Sequence, residues 1–493
     1  MHILLVNQGD RASKRYISRR LSAAGHRLDL IHWTPAVWDR EHFGAVFPVR
    51  FADWERLAAT AVRAHAADPF DGVLCYDEAT VPIANDLARL LRLPVISAHW
   101  GDAFRHKDRM RVAWEAVGLR VPRYRVLHRK TDLRPLATWR FPVVLKPTAM
   151  MGSRGVIKVD RFADLAHCWQ LLFDADEDMR IGDELWSMAE LFDIPQAALA
   201  EEYVDGPEFS AEGVVVQGAY HLVGITAKSS GGAPYFDEVG HLFPAPNLPA
   251  PAQRQIGPVL AAAHRALGLR NSVTHTEFRV DDKGICLMEL NARIPGGHIP
   301  DLVELVTGID LVAVAAQVAC AALSPDELPA PPTSPSTPTP TPTPAPAASS
   351  APTPAPTPTP ASAPTPAPTP TPASAASSAS NPAPAASSSA PAFTPAPTVA
   401  FASIPGVAAC AAVVHLTAPL HCLGARFAAL RVPDPHPARL HATHLHVEPG
   451  DLIQAPRLSG ATRLASAVLV ANDPASLATG VARLRAHTEI IAN

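Results

Sequence analysis

The sequence predicts an α/β protein that passes into α+β architecture, and three observations carry this. Residues 1–100 alternate short apolar strands with helical stretches. Residues 274–291 read as a β-hairpin. A Pro, Ala, Thr and Ser stretch from about Ser324 to Thr398 then separates that hairpin from a second strand-rich piece at 399–493. HILLVN (2–7) is an apolar strand, followed by an Arg-rich helical stretch to Ala24, a Gly25 turn and the strand RLDLIHW. A helix at about 52–67, the strand GVLCY and a helix around Val81 to Leu91 continue the alternation. This argues for a small parallel sheet with helices on both faces. No G-x-G-x-x-G follows the first strand, so a dinucleotide site has little support. Asp77-Glu78 lies just after a strand, where open α/β sheets place ligands, and either lines a substrate cleft or caps a helix.

Composition sets the outer bounds. At 493 residues the chain is long enough for several domains, and a 47% hydrophobic content permits real cores. The net charge is -4 with no long basic run, which gives no electrostatic reason for a nucleic-acid or membrane partner. The longest apolar run, Gly308 to Leu323, contains Asp310 and Gln317 and reads as a buried helix rather than a membrane span. MHILLVNQGD begins as a strand, with no signal peptide apparent, and the 6 scattered cysteines contain no C-x-x-C. Both features are expected of a cytoplasmic protein with reduced thiols.

The candidate chemistry begins at Lys107, in a basic turn that opens a helix ending near Gly118. FPVVLKPTAMMGSRGVIKV follows: a strand ending in Lys146, a Gly-containing loop over Met150 to Gly155, and a returning strand. Free backbone N–H groups beside an inward lysine suit a polyphosphate, although the loop is not G-x-x-x-x-G-K-[ST] and a P-loop is excluded. Glu201 and Glu208 bracket a connector that reads either as a charged hairpin or as an edge offering backbone groups to a purine. Lys228 and His241 precede the helix that leads to the hairpin.

That hairpin, THTEFRV and ICLMELN joined by Asp281-Asp282-Lys283-Gly284, is the most informative stretch. Its two strands place Glu277 and Glu289 where they face each other. Paired carboxylates repel unless protonated or bridged by a cation, and oxygen ligation with Asn291 suits Mg²⁺. Glu289, Asn291 and Arg293 share one strand face, which puts a fixed guanidinium beside that cation. The Gly296-Gly297 turn allows backbone to approach a substrate.

Lysine-helix, V-V-L-K-P, Gly loop, E-E-Y-V-x-G-x-E, then H-x-E and E-L-N-A-R-x-x-G-G, in that order, resembles the ATP-grasp superfamily. More narrowly the chain is similar to its carboxylate–amine ligases, which join amino acids into dipeptides. The resemblance covers roughly 1–323 and 399–493. It implies a Rossmann-like pre-ATP-grasp domain (1–100), a two-subdomain ATP-grasp fold (101–323) and a small C-terminal α+β subdomain (399–493). It also implies that Lys107 and Lys146 hold ATP phosphates and that the loop with Met151, Gly152, Ser153 and Gly155 closes over them. Glu201, Tyr203 and Val204 would line the adenine and Glu208 the ribose. Glu277, Glu289 and Asn291 would hold two Mg²⁺ ions, with Mn²⁺ as the alternative. Arg293 would stabilise the transferring phosphoryl group. His241 and Gly296, Gly297 and His298 would border small-molecule carboxylate and amine substrates. Some dipeptide ligases carry a bulky aromatic where this chain has Gly297, which implies a more open pocket. A homodimer is compatible with this reading.

Two other readings fit parts of the pattern. Biotin-carboxylase-like relatives use a glutamate seven positions after the metal glutamate, which here is Gly296. A non-catalytic ATP-binding regulator would be favoured by loss of a metal ligand, and none is lost.

The insert has no charged residue between Glu327 and Arg426, and APTPAPTPTPAS at 351–362 recurs at 363–374. Such a segment cannot bury a core and is expected to be extended and disordered. Beyond it come the strands VAACAAVVHL, ARFAALRV and SAVLVAND and a closing helix from Pro474 to His487. His441, His444 and His446 lie with no acidic or cysteine partner at ligand spacing beyond Glu448, and read as strand residues rather than a metal site.

Overall fold

The computed structural model describes residues 1–7, 15–33, 40–99, 101–149, 155–174, 180–181, 184–185, 197–231, 235–327, 408–418, 422–447, 449–453 and 463–492. The expected loop residues Met151, Gly152 and Ser153, the part of the insert from 328 to 398, and residues 399–407 of the piece beyond it lie outside the described residues.

The N-terminal alternation forms a parallel sheet. Its strands are β1 (His2–Val6), β2 (Arg27–His32), β3 (Val46–Pro48) and β4 (Gly72–Leu74), in the order β3-β2-β1-β4. The helices are α1 (Arg15–Ala23), α2 (Trp54–Ala67) and α3 (Val81–Leu90). β1 is buried throughout because its side chains alternate between two cores. Leu4 and Val6 pack with Leu57, Val73 and Leu87, while Ile3 and Leu5 pack with Ile17, Leu21 and Leu311. α2 starts at Asp53, whose carboxylate accepts from the Arg56 N–H, and α3 carries Pro82 in its first turn.

α4 (Lys107–Glu115) leads into an antiparallel sheet of β5 (Tyr124–Leu127), β6 (Val143–Pro147), β7 (Ile157–Val159) and, after α5 (Leu165–Asp174) and the ribbon β8 (Arg180–Ile181)–β9 (Glu184–Leu185), β10 (Ala198–Glu202). Its order is β5-β10-β6-β7. Leu199 pairs with Lys146 and Glu201 with Val144, so Lys146 and Glu201 share a face as diagonal neighbours.

The remaining elements build one large antiparallel sheet. They are β11 (Glu208–Val216), β12 (Ala219–Ser230), β13 (Glu238–Phe243), α6 (Ala250–Ala266), β14 (Ser272–Asp281), β15 (Gly284–Asn291), α7 (Ile299–Thr307), α8 (Leu311–Ala319), β16 (Cys410–Thr417), β17 (Phe427–Arg431), β18 (Arg439–Leu445), β19 (Arg463–Ala471), α9 (Pro474–His487) and β20 (Glu489–Ala492). The order β15-β14-β11-β12-β13-β16-β19-β18 runs through eight strands. The segment beyond the insert thus adds three strands to the sheet that holds the hairpin, joining it where β16 pairs with β13. α8 is the buried apolar run, and among the described residues no single helix is long and apolar enough to cross a membrane.

β4 and α8 meet at Gly72, where a Cβ would lie 2.4 Å from the Ala319 carbonyl oxygen. Backbone cannot yield as a flexible side chain can. Gly72→Ala is expected to cost about 1–3 kcal/mol, read as a lower denaturant midpoint at unchanged slope; an unchanged midpoint would show that this contact is not tight.

Candidate active site

The two hairpin carboxylates are placed by strand register. Glu277 on β14 is the direct partner of Glu289 on β15. Lys107, at the start of α4, lies 3.0 Å from Glu289 Oε1 and 3.6 Å from Glu78 Oε1. Burial works against the ammonium, but Glu289 and Glu78 outweigh it and its pKa is raised. Glu78 is the residue left open between cleft and cap. It is buried, and burial and then Glu289 push its carboxyl up to about 8. Glu289 is lowered, because Lys107 overcomes the cost of its burial. Arg293 donates to the Ile294 carbonyl at 2.9 Å and reaches Glu78 at 3.5 Å, leaving its buried Nε without a partner.

Asn291 is 3% exposed, and its Oδ1 accepts no hydrogen bond. A buried acceptor without a donor is costly in a protein alone, and beside two facing carboxylates it fits a hard cation that takes oxygen ligands. This donor set fits Mg²⁺.

A second group lies on the same face of the large sheet. Lys228 Nζ bonds Glu208 at 3.0 Å and Glu238 at 2.9 Å, and also bonds Glu277. Its side chain is 4% exposed, and the three carboxylates raise its pKa well above the usual lysine value despite burial. Arg279 grips Glu208 through Nε and a terminal nitrogen at 3.2 and 2.9 Å and donates to the Val204 carbonyl. The Arg279 guanidinium also lies over the rings of Tyr203 and Phe236. Beneath Glu277, His275 Nδ1 meets the fully buried Glu212 at 2.9 Å, and Ser210 and Thr226 donate to the same carboxylate. Glu277 is held well below the usual carboxylate range, because Lys228 and His275 together exceed the desolvation that would raise it.

The third group joins the smaller sheet to α4. Glu201 is 2% exposed and is clasped by Lys146 Nζ at 2.6 Å and by Arg111 at 2.8 Å. The Glu201 carboxylate therefore points at internal cations. Gly155, just beyond the undescribed loop, has φ +70°, and a Cβ there would press on Pro147.

His241 and the turn after β15 close the site. Gly297 has φ +61°, and a Cβ on it would lie 2.7 Å from His241 Nε2 and 3.7 Å from His415 Nε2. The absent side chain of Gly297 therefore faces two imidazoles. Burial lowers His241 to about 4 and keeps it neutral. His298 (φ 60°) bonds Asp301 at 2.8 Å and stacks on His444 at 4.0 Å. Gly296 borders this turn with nothing near its missing Cβ.

Lys107, Glu277, Glu289, Asn291 and Arg293 therefore converge on one locus, and Lys146 with Glu201 forms a separate ionic pair on the neighbouring sheet. Arg111, Glu212, Glu238, His275 and Arg279 were not singled out as site residues from sequence, whereas Glu78 was left open between cleft and cap. The available signal was period-two spacing: Glu208, Ser210 and Glu212, or His275, Glu277 and Arg279, present polar groups on one strand face.

Comparison with known proteins bears on the fold and on the class of relatives. Residues 139–301 match the family model described as the ATP-grasp domain. The whole chain superposes on an L-amino acid ligase from Bacillus licheniformis with a TM-score of 0.72 at 18% identity, covering 99% of this chain and 98% of that one. Residues 139–301 thus match an ATP-grasp domain, and the chain has the fold of that ligase structure. Among curated sequences it is 31% identical over 208 residues to the uncharacterized protein y4rH of Sinorhizobium fredii, covering 42% of this chain and 40% of that protein. It is 27% identical to alanine–anticapsin ligase of Bacillus subtilis (44% and 47%). It is 30% identical to a D-alanine–D-alanine ligase of Geobacter sulfurreducens (37% and 52%). The chain thus spans about half the length of the curated relatives it matches.

Removing the Glu201 charge leaves two buried cations facing each other. Glu201→Gln is expected to cost about 3–5 kcal/mol at neutral pH. The Glu201 pKa is depressed in the folded state, because Arg111 and Lys146 outweigh a burial that alone would raise it. Its contribution is therefore present above the ordinary carboxylate range and is lost as pH falls through the folded value. Denaturant unfolding at pH 7 and pH 4 should show a smaller difference between wild type and variant at the lower pH; an equal difference would contradict this origin.

Proposed function

We propose that this protein is an ATP-dependent ligase that activates a carboxylate, an amino acid in the favoured reading, as an acyl phosphate and joins it to an amine. The products are an amide or dipeptide, ADP and phosphate. One observation carries the reading: strand register faces Glu277 with Glu289 beside the orphaned Asn291 Oδ1, with Lys107 and Arg293 converging on the same point. The names of the ligase relatives support it from a separate direction.

Phosphoryl transfer is catalysed mainly by positioning and by neutralising charge. In this reading Lys107 and Lys146 bind the phosphates of ATP, and the loop through Gly155 covers them. Release of Lys107 from Glu289 and Glu78 frees its charge for the nucleotide. The backbone from Glu201 through Tyr203 to Val204 meets the adenine, and Glu208, oriented by Arg279 and Lys228, accepts from the ribose. Mg²⁺ held by Glu277, Glu289 and Asn291, as two ions or with Mn²⁺ in its place, supplies compensation for phosphate charge. Arg293 supports the phosphoryl group in transfer, and Glu78 anchors its guanidinium. A carboxylate oxygen attacks the terminal phosphorus and ADP leaves. The amine then attacks the acyl carbon, phosphate leaves with the carboxylate oxygen, and nitrogen loses its extra protons to phosphate and solvent. His241 and the turn of Gly296, Gly297 and His298 border the two substrates.

Glu289→Ala is expected to reduce phosphate release, assayed with ATP, Mg²⁺ and amino acids singly and in pairs, by about 100-fold or more while the protein stays folded. Amide formation retained by a folded Glu289→Ala protein would sink the assignment.

A further inference from the structure

Behind the Gly297 turn lies a group of side chains that the ligase reading uses only in part. Glu238 on β13, His241 three residues on, and His415 on the neighbouring β16 each present a ligand atom, all within 4.8 Å of one another. The two imidazoles are 2% and 5% exposed, and Nε2 of each has no hydrogen-bond partner. Both nitrogens face Gly297, whose missing side chain leaves them their approach. Glu238 gives Oε1 to Lys228 at 2.9 Å, and its Oε2 lies 3.8 Å from His241 Nε2. A tetrahedral ion with bonds of about 2.1 Å spaces its ligands by about 3.4 Å, so little movement is required. Two cations already face this carboxylate, Lys228 at Oε1 and Arg463 at 3.9 Å from Oε2, so Oε2 is the oxygen left to the cluster.

The groups behind the cluster supply the orientation such a site needs. Ser466 Oγ lies 2.9 Å from His415 Nδ1 and 2.7 Å from His446 Nε2. A hydroxyl donates one hydrogen bond. If His415 Nδ1–H donates to Ser466, the hydroxyl is free to donate to His446, and His415 Nε2 is left as a lone pair aimed at the cluster. This is the outer-sphere support that fixes the tautomer of a metal-binding histidine.

We propose that Glu238, His241 and His415 form a binding site for a zinc-class divalent cation, distinct from the oxygen-rich Mg²⁺ locus at Glu277, Glu289 and Asn291. Two imidazoles and one carboxylate suit Zn²⁺, Co²⁺ or Ni²⁺, whereas Mg²⁺ prefers oxygen ligands. Three protein ligands leave a fourth position open, on the side of the turn that borders the proposed substrates. The metal would connect the hairpin half of the sheet to the strands beyond the insert, since β13 and β16 are the two strands at which these halves pair.

The test uses the full chain stripped with chelator, held in excess Mg²⁺ and titrated with Co²⁺ alone, without ATP or substrates, so that its outcome is separate from that of the ligase reading. One equivalent of Co²⁺ with the visible absorption of a tetrahedral site, displaced by Zn²⁺, is expected. Binding should weaken at least about 100-fold in His415→Gln and about 10- to 100-fold in the milder Ser466→Ala. It should persist in His441→Gln, which changes an exposed histidine outside the cluster. Matching melting curves of the metal-free proteins exclude unfolding as the cause. No Co²⁺ binding by the wild type, or undiminished binding by a folded His415→Gln protein, would overturn the proposal. So would loss confined to His444→Gln, which would move the ion to His298, Asp301 and His444.

Discussion

The polar face of the large sheet depends on Lys228. One ammonium, almost wholly enclosed, touches carboxylates from three other strands: Glu208 of β11, Glu238 of β13 and Glu277 of β14. Without a central cation these acids would repel across a low-dielectric surface. With it, Glu277 stays ionised opposite Glu289, and Glu208 stays oriented under Arg279. The same arrangement holds β12 and β13 in a register that places His241 against Lys228. Buried ion pairs of this kind are weak sources of stability but strict about geometry, which is what a phosphoryl-transfer site requires.

The N-terminal layer contributes to the same locus from the opposite direction. Glu78 and Lys107 come from the segments after β4 and before α4, and they meet the hairpin through Glu289 and Arg293. The carboxyl of Glu78 is lifted by burial and by Glu289, and it contacts both Lys107 and Arg293. The parallel sheet therefore supplies part of the wall of the site.

Much of this was legible in the sequence, for identifiable reasons. The hairpin was readable from turn residues between period-two strands, but the turn register alone sets Glu277 opposite Met288; a bulge between Glu277 and Phe278 shifts it to Glu289, and spacing does not disclose a bulge. The closing helix was readable from Pro474 and the apolar spacing after it. The partner of a strand beyond a long insert was not, because periodicity identifies a strand without naming its neighbour; the pairing of β16 with β13 is long-range information. The same holds for Arg111, which lies on a helix and meets Glu201 across two elements. The two imidazoles that face Gly297 come from strands far apart in the chain, which spacing around the glycine does not disclose.

The central claim is that a substrate carboxylate is activated by the terminal phosphate of ATP at this locus. The most direct measurement labels that carboxylate with heavy oxygen, supplies ATP, Mg²⁺ and an amine, and follows the label by mass spectrometry. One labelled oxygen per turnover in the released phosphate, with an equal amount of amide and ADP, is the predicted result. Phosphate free of label while amide accumulates would contradict the account, because the acyl group would then have been activated by another route.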